Sequence, residues 1–248
     1  ANTESGSAGP AVPLFIGLKM LDYQAVPTVE ALRQTMVDCQ LRTFDITNRD
    51  VLAAALDVPR EIFAPGVASA VVYSDRMLDI PGSQGRAMPA PMVVARLLQA
   101  AELSPSDKVL VVASGTGYTA ALAGRIAGSV VALDNEAALT EAATANFARI
   151  GAANIQATTG DLAAGAAAQG PFDVIVIDGA IEAEPEGLFE QLAEGGRLYT
   201  IVLPEGAAGW RGKASVFEKN SGRIGSRMLF DAAARPLDAF RRKAAFSF

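Results

Sequence analysis

The sequence predicts a doubly wound α/β fold: an open, mostly parallel sheet with helices on both faces, a helical extension before it and an antiparallel hairpin after it. Three observations predict it. From about residue 91, continuous apolar runs alternate with helical segments, as in Lys108-Val109-Leu110-Val111-Val112-Ala113. Such runs mark strands buried on both faces. A glycine-bearing turn, Gly115-Thr116-Gly117, follows the first of them. Half of the 248 residues are hydrophobic and 19% are charged, enough for a sizeable core and too apolar for general disorder.

Residues 1–13 are small and polar, with Gly6, Gly9, Pro10 and Pro13, and read as a flexible tail. A short apolar patch, 12–21, follows and is broken by Gly17. It reads either as packed on its own domain or as a docking segment, since tails with one apolar motif often order on a partner. Thr28 is an expected N-cap for a helix over 28–42. A second helix is expected over 47–56, opened by Thr47 with Asp50 three residues on. Pro59, Pro65 and Pro81 then divide the chain into loops.

The alternating part follows. A helix covers 92–103, a strand 108–113, a helix 118–127, and a strand 129–133 that ends at Asp134. A helix then covers 136–150, with strands at 154–158 and 172–177, a helix at 185–192 and a strand at 196–203. Right-handed crossovers place the strand C-terminal ends on one edge, where a ligand crevice is expected. Two alternating stretches, 215–219 and 225–230, flank Asn220-Ser221-Gly222 and predict the closing hairpin.

Composition excludes several chemistries. There is no histidine, which removes histidine bases, Ser-His-Asp triads and histidine-ligated metals, so no metal is expected. The single cysteine, Cys39, excludes an internal disulfide and a multi-cysteine metal site, and its expected role is helix packing. No apolar run reaches the ~18–20 residues of a membrane helix. The start, Ala1-Asn2-Thr3-Glu4, lacks the basic opening of a secretory leader, so a cytoplasmic chain without a membrane span is expected. The net charge of −6 argues against nucleic acid. Charge is divided: residues 211–248 hold nine Lys/Arg and three acids, leaving twelve basic and twenty-four acidic residues elsewhere. That basic part is either a solvated hairpin face or a patch for an acidic partner. Trp210, the only tryptophan, is expected in core or rim packing.

The candidate site begins at the glycine turn. Glycines let the backbone approach a ligand, and a helix N-terminus offers N–H donors. Asp134, at the end of the next strand, stands where a carboxylate can accept both hydroxyls of a ribose. Asp161, after the third strand, could accept from an adenine amino group. The three together suit an adenosine-containing ligand.

From about Met36 onward the chain resembles the protein-L-isoaspartate O-methyltransferases. The resemblance is carried by Met36-Val37, Gln40-Leu41-Arg42, Val51-Leu52, Val58-Pro59-Arg60, Phe63, Pro65, Tyr73-Ser74-Asp75-Arg76 and Ile80. It continues through Gly160-Asp161, Phe172-Asp173, Pro185-Glu186, Gln191-Leu192 and Gly195-Gly196-Arg197-Leu198. It implies a Rossmann-like class I methyltransferase fold. The expected division is a flexible extension (1–27), N-terminal helices with the substrate loop (28–90) and the methyltransferase domain (91–248). It also implies S-adenosylmethionine as cofactor, with Gly115, Thr116, Gly117, Tyr118, Asp134 and Asp161 lining its site.

The departures fall on function. The family's substrate loop runs roughly Gly-Gln-Thr-Ile-Ser-x-Pro, and its hydroxyls help place the substrate carboxylate. Here the segment is Ser83-Gln84-Gly85-Arg86-Ala87-Met88-Pro89-Ala90-Pro91, with no hydroxyl residue from Gln84 through Leu103. Arg86 could anchor a carboxylate if it points inward. The usual acid of the first strand is Val111, and the first glycine of the turn is Ala113. These losses predict weakened cofactor binding and no assigned catalytic residue. The expectation is an accessory or scaffold subunit, with partner contacts through 12–21 and/or 211–243. Methyltransferase-fold proteins are known as accessory factors of large membrane enzymes, including respiratory NADH dehydrogenase. The alternative is an active carboxyl methyltransferase acting on isoaspartyl proteins. A non-catalytic sensor of an adenosine ligand is the third reading.

Overall fold

The computed structural model describes residues 27–206 and 209–242. The expectations for the tail and for segment 12–21 lie outside the described residues.

Helix α1 (Val29–Met36) starts where expected, with the Thr28 hydroxyl accepting the Ala31 N–H at 3.2 Å. It then widens by one residue per turn over Val37–Leu41. That widening rotates the faces that follow. Met36, Val37 and Leu41 go inward, and Cys39 is exposed, not packed as expected. Helix α2 (Arg49–Asp57) is capped by Asn48 and not by Thr47. Asn48 Oδ1 accepts the N–H of Asp50 at 2.9 Å and of Val51 at 3.1 Å, while the Gln99 side chain accepts the Thr47 N–H. Asparagine is the stronger cap, and here it is the residue with the extended backbone a cap requires. A short helix α3 (Ser69–Val72) and a two-stranded ribbon, β1 (Leu78–Asp79) with β2 (Ala87–Met88), complete the N-terminal part. The segment that stands in place of the family's substrate loop, 83–91, runs from the loop between β1 and β2 through β2 to residue 91.

Next come α4 (Pro91–Ala101), β3 (Lys108–Val112), α5 (Tyr118–Gly124), β4 (Ser129–Asp134), α6 (Ala137–Arg149) and β5 (Ile155–Thr159). They are followed by β6 (Phe172–Ile181), α7 (Glu186–Phe189), β7 (Leu192–Val202), β8 (Arg211–Asn220) and β9 (Arg223–Ala233). The sheet order is β5-β4-β3-β6-β7-β8-β9, parallel from β5 to β7 and antiparallel for β8 and β9. The order reverses at β3, so the crevice opens at the C-terminal ends of β3, β4 and β6.

One core lies on each sheet face. Val109, Val111, Val174 and Val176 pack under α2, α4 and α5. Leu110, Val112, Phe172, Ile175, Ile177, Leu198 and Phe217 form the opposite core. The hairpin turn has positive φ at Ser221 and Gly222 (53° and 71°), the mirror-image turn that matches strand twist.

Two boundaries differ from expectation. The helix over 185–192 is only α7, because Gln191 turns inward to bond Ala166 N, Ala164 O and Gly187 O, and Leu192 already pairs with Phe172. Strand β6 runs four residues beyond Ile177. The segment after β9 extends it: Ala180 N–H donates to Arg235 O and Leu237 N–H to Ala180 O, both at 2.9 Å. Gly179 permits this, since a Cβ there would lie 2.7 Å from Leu237 Cγ.

Candidate functional site

The turn after β3 keeps a glycine-type backbone throughout, with φ of 62° at Ala113, 56° at Gly115 and 100° at Gly117. Gly117 is required, since a Cβ would sit 2.6 Å from the Phe147 ring of α6. Ala113 stands where the family has glycine. A side chain disfavours positive φ, yet Ala113 adopts it. The cost is about 1–2 kcal/mol for a left-handed non-glycine residue. Against it stand a buried methyl (~0.8 kcal/mol) and the backbone entropy a glycine would lose (~0.5–1 kcal/mol). The terms nearly cancel. Ala113→Gly is therefore expected to change unfolding free energy by less than about 1 kcal/mol, measured from urea midpoints. A change above roughly 2 kcal/mol in either direction would show that one of those terms dominates.

Asp134 ends β4 fully buried, and the structure assigns each of its oxygens. Oδ2 accepts the Gly115 N–H at 2.8 Å. Oδ1 accepts the Glu136 N–H and Arg86 Nη2, both at 3.1 Å. Arg86 thus points inward as the sequence allowed, but it meets the crevice acids and is not free for a substrate carboxylate. The same nitrogen donates to Asn135 Oδ1 at 2.7 Å, and Nε lies 3.8 Å from Glu136 Oε1. The Glu136 carboxylate also accepts the Gln84 N–H at 3.0 and 3.2 Å. The loop's one hydroxyl, Ser83, is bonded within the loop to Ile80 O at 2.7 Å.

The other expected site residues spread around this centre. The Thr116 hydroxyl donates to Phe63 O at 2.7 Å, toward the N-terminal elements. The Tyr118 ring is buried, edge-on to Phe63, with the Arg60 guanidinium 4.5 Å above it. Thr116 also lines a cavity of about 220 Å³ with Ile80, Gly82 and Glu136, whereas the Tyr118 ring packs in the interior. Asp161 is exposed and accepts the Ala164 N–H at 2.8 Å, closing its own turn. Its neighbour Leu162, with Asn135, Arg86, Trp210 and Leu237, lines a cavity of about 300 Å³. Trp210 is 42% exposed and stacks at 4.7 Å against Arg235, a rim position.

The sequence reading passed over Asp178. It follows Ile177 on β6, on the same face as Val111, whose partner across the strands is Val176. The acid missing from β3 is thus matched by one on the adjacent strand, one pleat further along. The Thr119 hydroxyl donates to Asp178 Oδ1 at 2.9 Å. Burial pushes its carboxyl up to about 7, against the lowering effects of that bond and of Arg60 and Arg86. An acid closing an apolar run beside the glycine turn was the available signal.

The sheet order, glycine turn and β4 carboxylate define a class I methyltransferase-fold protein. The chain belongs to the protein-L-isoaspartate O-methyltransferase family, whose model, Protein-L-isoaspartate(D-aspartate) O-methyltransferase (PCMT), matches residues 32–232. It is 40% identical over 205 residues to a Koribacter versatilis protein named protein-L-isoaspartate O-methyltransferase, covering 83% of this chain and 90% of the relative. A Methanoculleus marisnigri protein of the same name is 36% identical over 172 residues, 69% of this chain and 77% of that one. A solved protein-L-isoaspartate O-methyltransferase superposes with a TM-score of 0.74 at 25% identity, covering 83% of this chain and 65% of its own length. A Plasmodium falciparum structure, a putative member in complex with S-adenosyl-L-homocysteine, superposes at 0.67 with 20% identity, over 86% of this chain and all of that one. It supports the fold.

The group implied by this fold is S-adenosylmethionine. A ribose diol donates to the strand-end carboxylate, and here both Asp134 oxygens are already bonded beneath Arg86. Val111 is buried in the core and offers no acceptor. As the loop stands, Arg86 Nη2 takes one of the acceptor positions that a ribose diol would use. Among the described residues, no helix is long and apolar enough to cross a membrane.

Proposed function

We propose that this chain is a protein-L-isoaspartate O-methyltransferase-like protein whose methyl transfer is lost or weakened, acting as an accessory or scaffold subunit of a larger assembly. A respiratory membrane enzyme is one assembly of that kind. The observation that carries this reading is the loop over 83–91. It presents Arg86, Ala87, Met88 and Pro89, and its one hydroxyl, Ser83, is bonded to Ile80 O. Methyl transfer requires the carboxylate nucleophile to be held in line with the sulfonium at near-attack distance. Nothing in this loop holds a carboxylate there, because Arg86 is paired with Asp134 and Glu136.

The partner contacts in this reading are segment 12–21 and the basic region 211–243. On the latter, Met228 is 71% exposed beside Arg227 on β9. An exposed free thiol, Cys39, suits a reducing compartment, here the cytoplasm.

The test is methyl-ester formation on an isoaspartyl peptide with labelled S-adenosylmethionine, run beside the Koribacter relative. Turnover at least about a hundredfold lower is expected, the scale of loss when substrate positioning fails. Turnover comparable to that relative would reject the reading and leave the second one, an active carboxyl methyltransferase. That reading is favoured by the 40% identity to a named relative and by the intact turn geometry at Gly115 and Gly117.

A further inference from the structure

Arg86 is the one charged side chain of its loop that enters the crevice, and only 7% of its surface is exposed. It contacts three consecutive residues at the end of β4: Asp134, Asn135 and Glu136. Asp134 is the carboxylate at the position where the fold class holds an adenosine ribose. Both the guanidinium and a ribose diol present donors, so they compete for the acceptor positions of the same carboxylate. The loop is also held at two further points. Glu136 accepts the Gln84 N–H from inside. From outside, Arg235 pairs with Asp79 on β1 and stacks on Trp210.

We infer that Arg86 is an internal competitor for the cofactor: its guanidinium occupies the ribose position on Asp134, and S-adenosyl ligands reach that carboxylate only when the loop between β1 and β2 swings out. The inference is independent of whether the chain transfers methyl groups. Removing Arg86 does not orphan Asp134, which keeps the N–H groups of Gly115 and Glu136. A purely structural arginine and a competitor therefore predict opposite signs. Loss of a structural support loosens the site and weakens binding. Loss of a competitor raises the fraction of molecules able to bind, and apparent affinity rises in proportion.

The experiment is calorimetric titration of the full chain with S-adenosylhomocysteine, which carries no transferable methyl group. It compares wild type with Arg86→Ala and Glu136→Ala. Arg86→Ala is expected to bind roughly ten- to hundredfold more tightly, the range for hydrogen bonds to a charged group. Glu136→Ala, which releases the loop without touching Asp134 side-chain contacts, is expected to bind about threefold or more tightly. Unfolding midpoints establish that each variant is folded, and if Arg86→Ala is not, Glu136→Ala decides alone. Unchanged or weaker affinity in the folded variants, or no binding by any of the three proteins, overturns the inference. Esterification of the isoaspartyl peptide by wild type would overturn the proposed function while leaving this result to stand or fall on affinity.

Discussion

Replacing Arg60 with alanine is expected to lower the unfolding free energy by about 3–5 kcal/mol, among the larger single-residue effects. Arg60 is fully buried. Its Nε donates to Val72 O at 3.0 Å and its Nη2 to Pro89 O at 2.8 Å. It therefore ties the end of α3 to the residue that follows β2, with Tyr118 stacked beneath it. Alanine removes both donors, each worth about 1–3 kcal/mol when a buried carbonyl is left without one, and opens a side-chain-sized void. Burial lowers the pKa of the guanidinium, which states the same fact from the other side: holding this charge in the interior is costly. Nη1 is buried without a hydrogen-bond partner, so the charge is not fully compensated. Arg60→Met keeps the volume and removes that uncompensated charge. It is expected to recover only the part of the loss that comes from the void, because the carbonyls of Val72 and Pro89 still lack a donor. Urea unfolding of both variants makes the comparison. Arg60→Ala within about 1 kcal/mol of wild type would show that the loop and α3 are fixed by other contacts.

The sheet was legible because its strands are unusual in one respect. Runs such as 109–113 and 130–133 are apolar at every position, which only a strand covered on both faces sustains. The short elements were not, because side chains distant in sequence decided them. Gln191 ends α7 by bonding residues 25 and 27 positions back, and local propensity holds no trace of that. Cys39 was expected in helix packing, and it lies exposed on the widened turn over Val37–Leu41. Gly115 and Asp134 were singled out from their order along a strand-turn-helix unit, and the structure brings them together, with Gly115 N–H bonded to Asp134. Arg86 was visible as the loop's charged residue, but its target lies 48 residues away at another strand's end. Asp178 was concealed by reading β6 as ending at Ile177, whereas the segment after β9 prolongs that strand. The side-chain directions of Thr116 and Tyr118 were not legible, because they are fixed by packing against Phe63 and Arg60.

Asp178→Asn is expected to stabilise the protein at pH 8 and to lose that advantage as the pH falls toward 4. The folded carboxyl titrates at about 7, against an ordinary 3.8, because burial disfavours its charged form. The folded state therefore binds the proton more tightly than the unfolded chain. Between those two values the unfolded chain releases the proton first, so stability declines as pH rises through the window and levels off above about 7. The whole interval corresponds to an effect on the order of 4 kcal/mol. The groups facing Asp178 temper the shift that burial causes: Thr119 and the guanidinium groups of Arg60 and Arg86 favour the anion, while Asp134 opposes it. Burial outweighs the favourable set. Asparagine keeps an oxygen for the Thr119 hydroxyl and carries no charge to desolvate, so the variant should show a flatter profile over this window. Urea unfolding at pH 5 and pH 8 provides the four free energies. A variant less stable than wild type at pH 8, or a difference that does not change with pH, would mean that Arg60 compensates the buried anion. The Arg60→Met variant would then be the one to destabilise strongly, because it would leave that anion alone in the core.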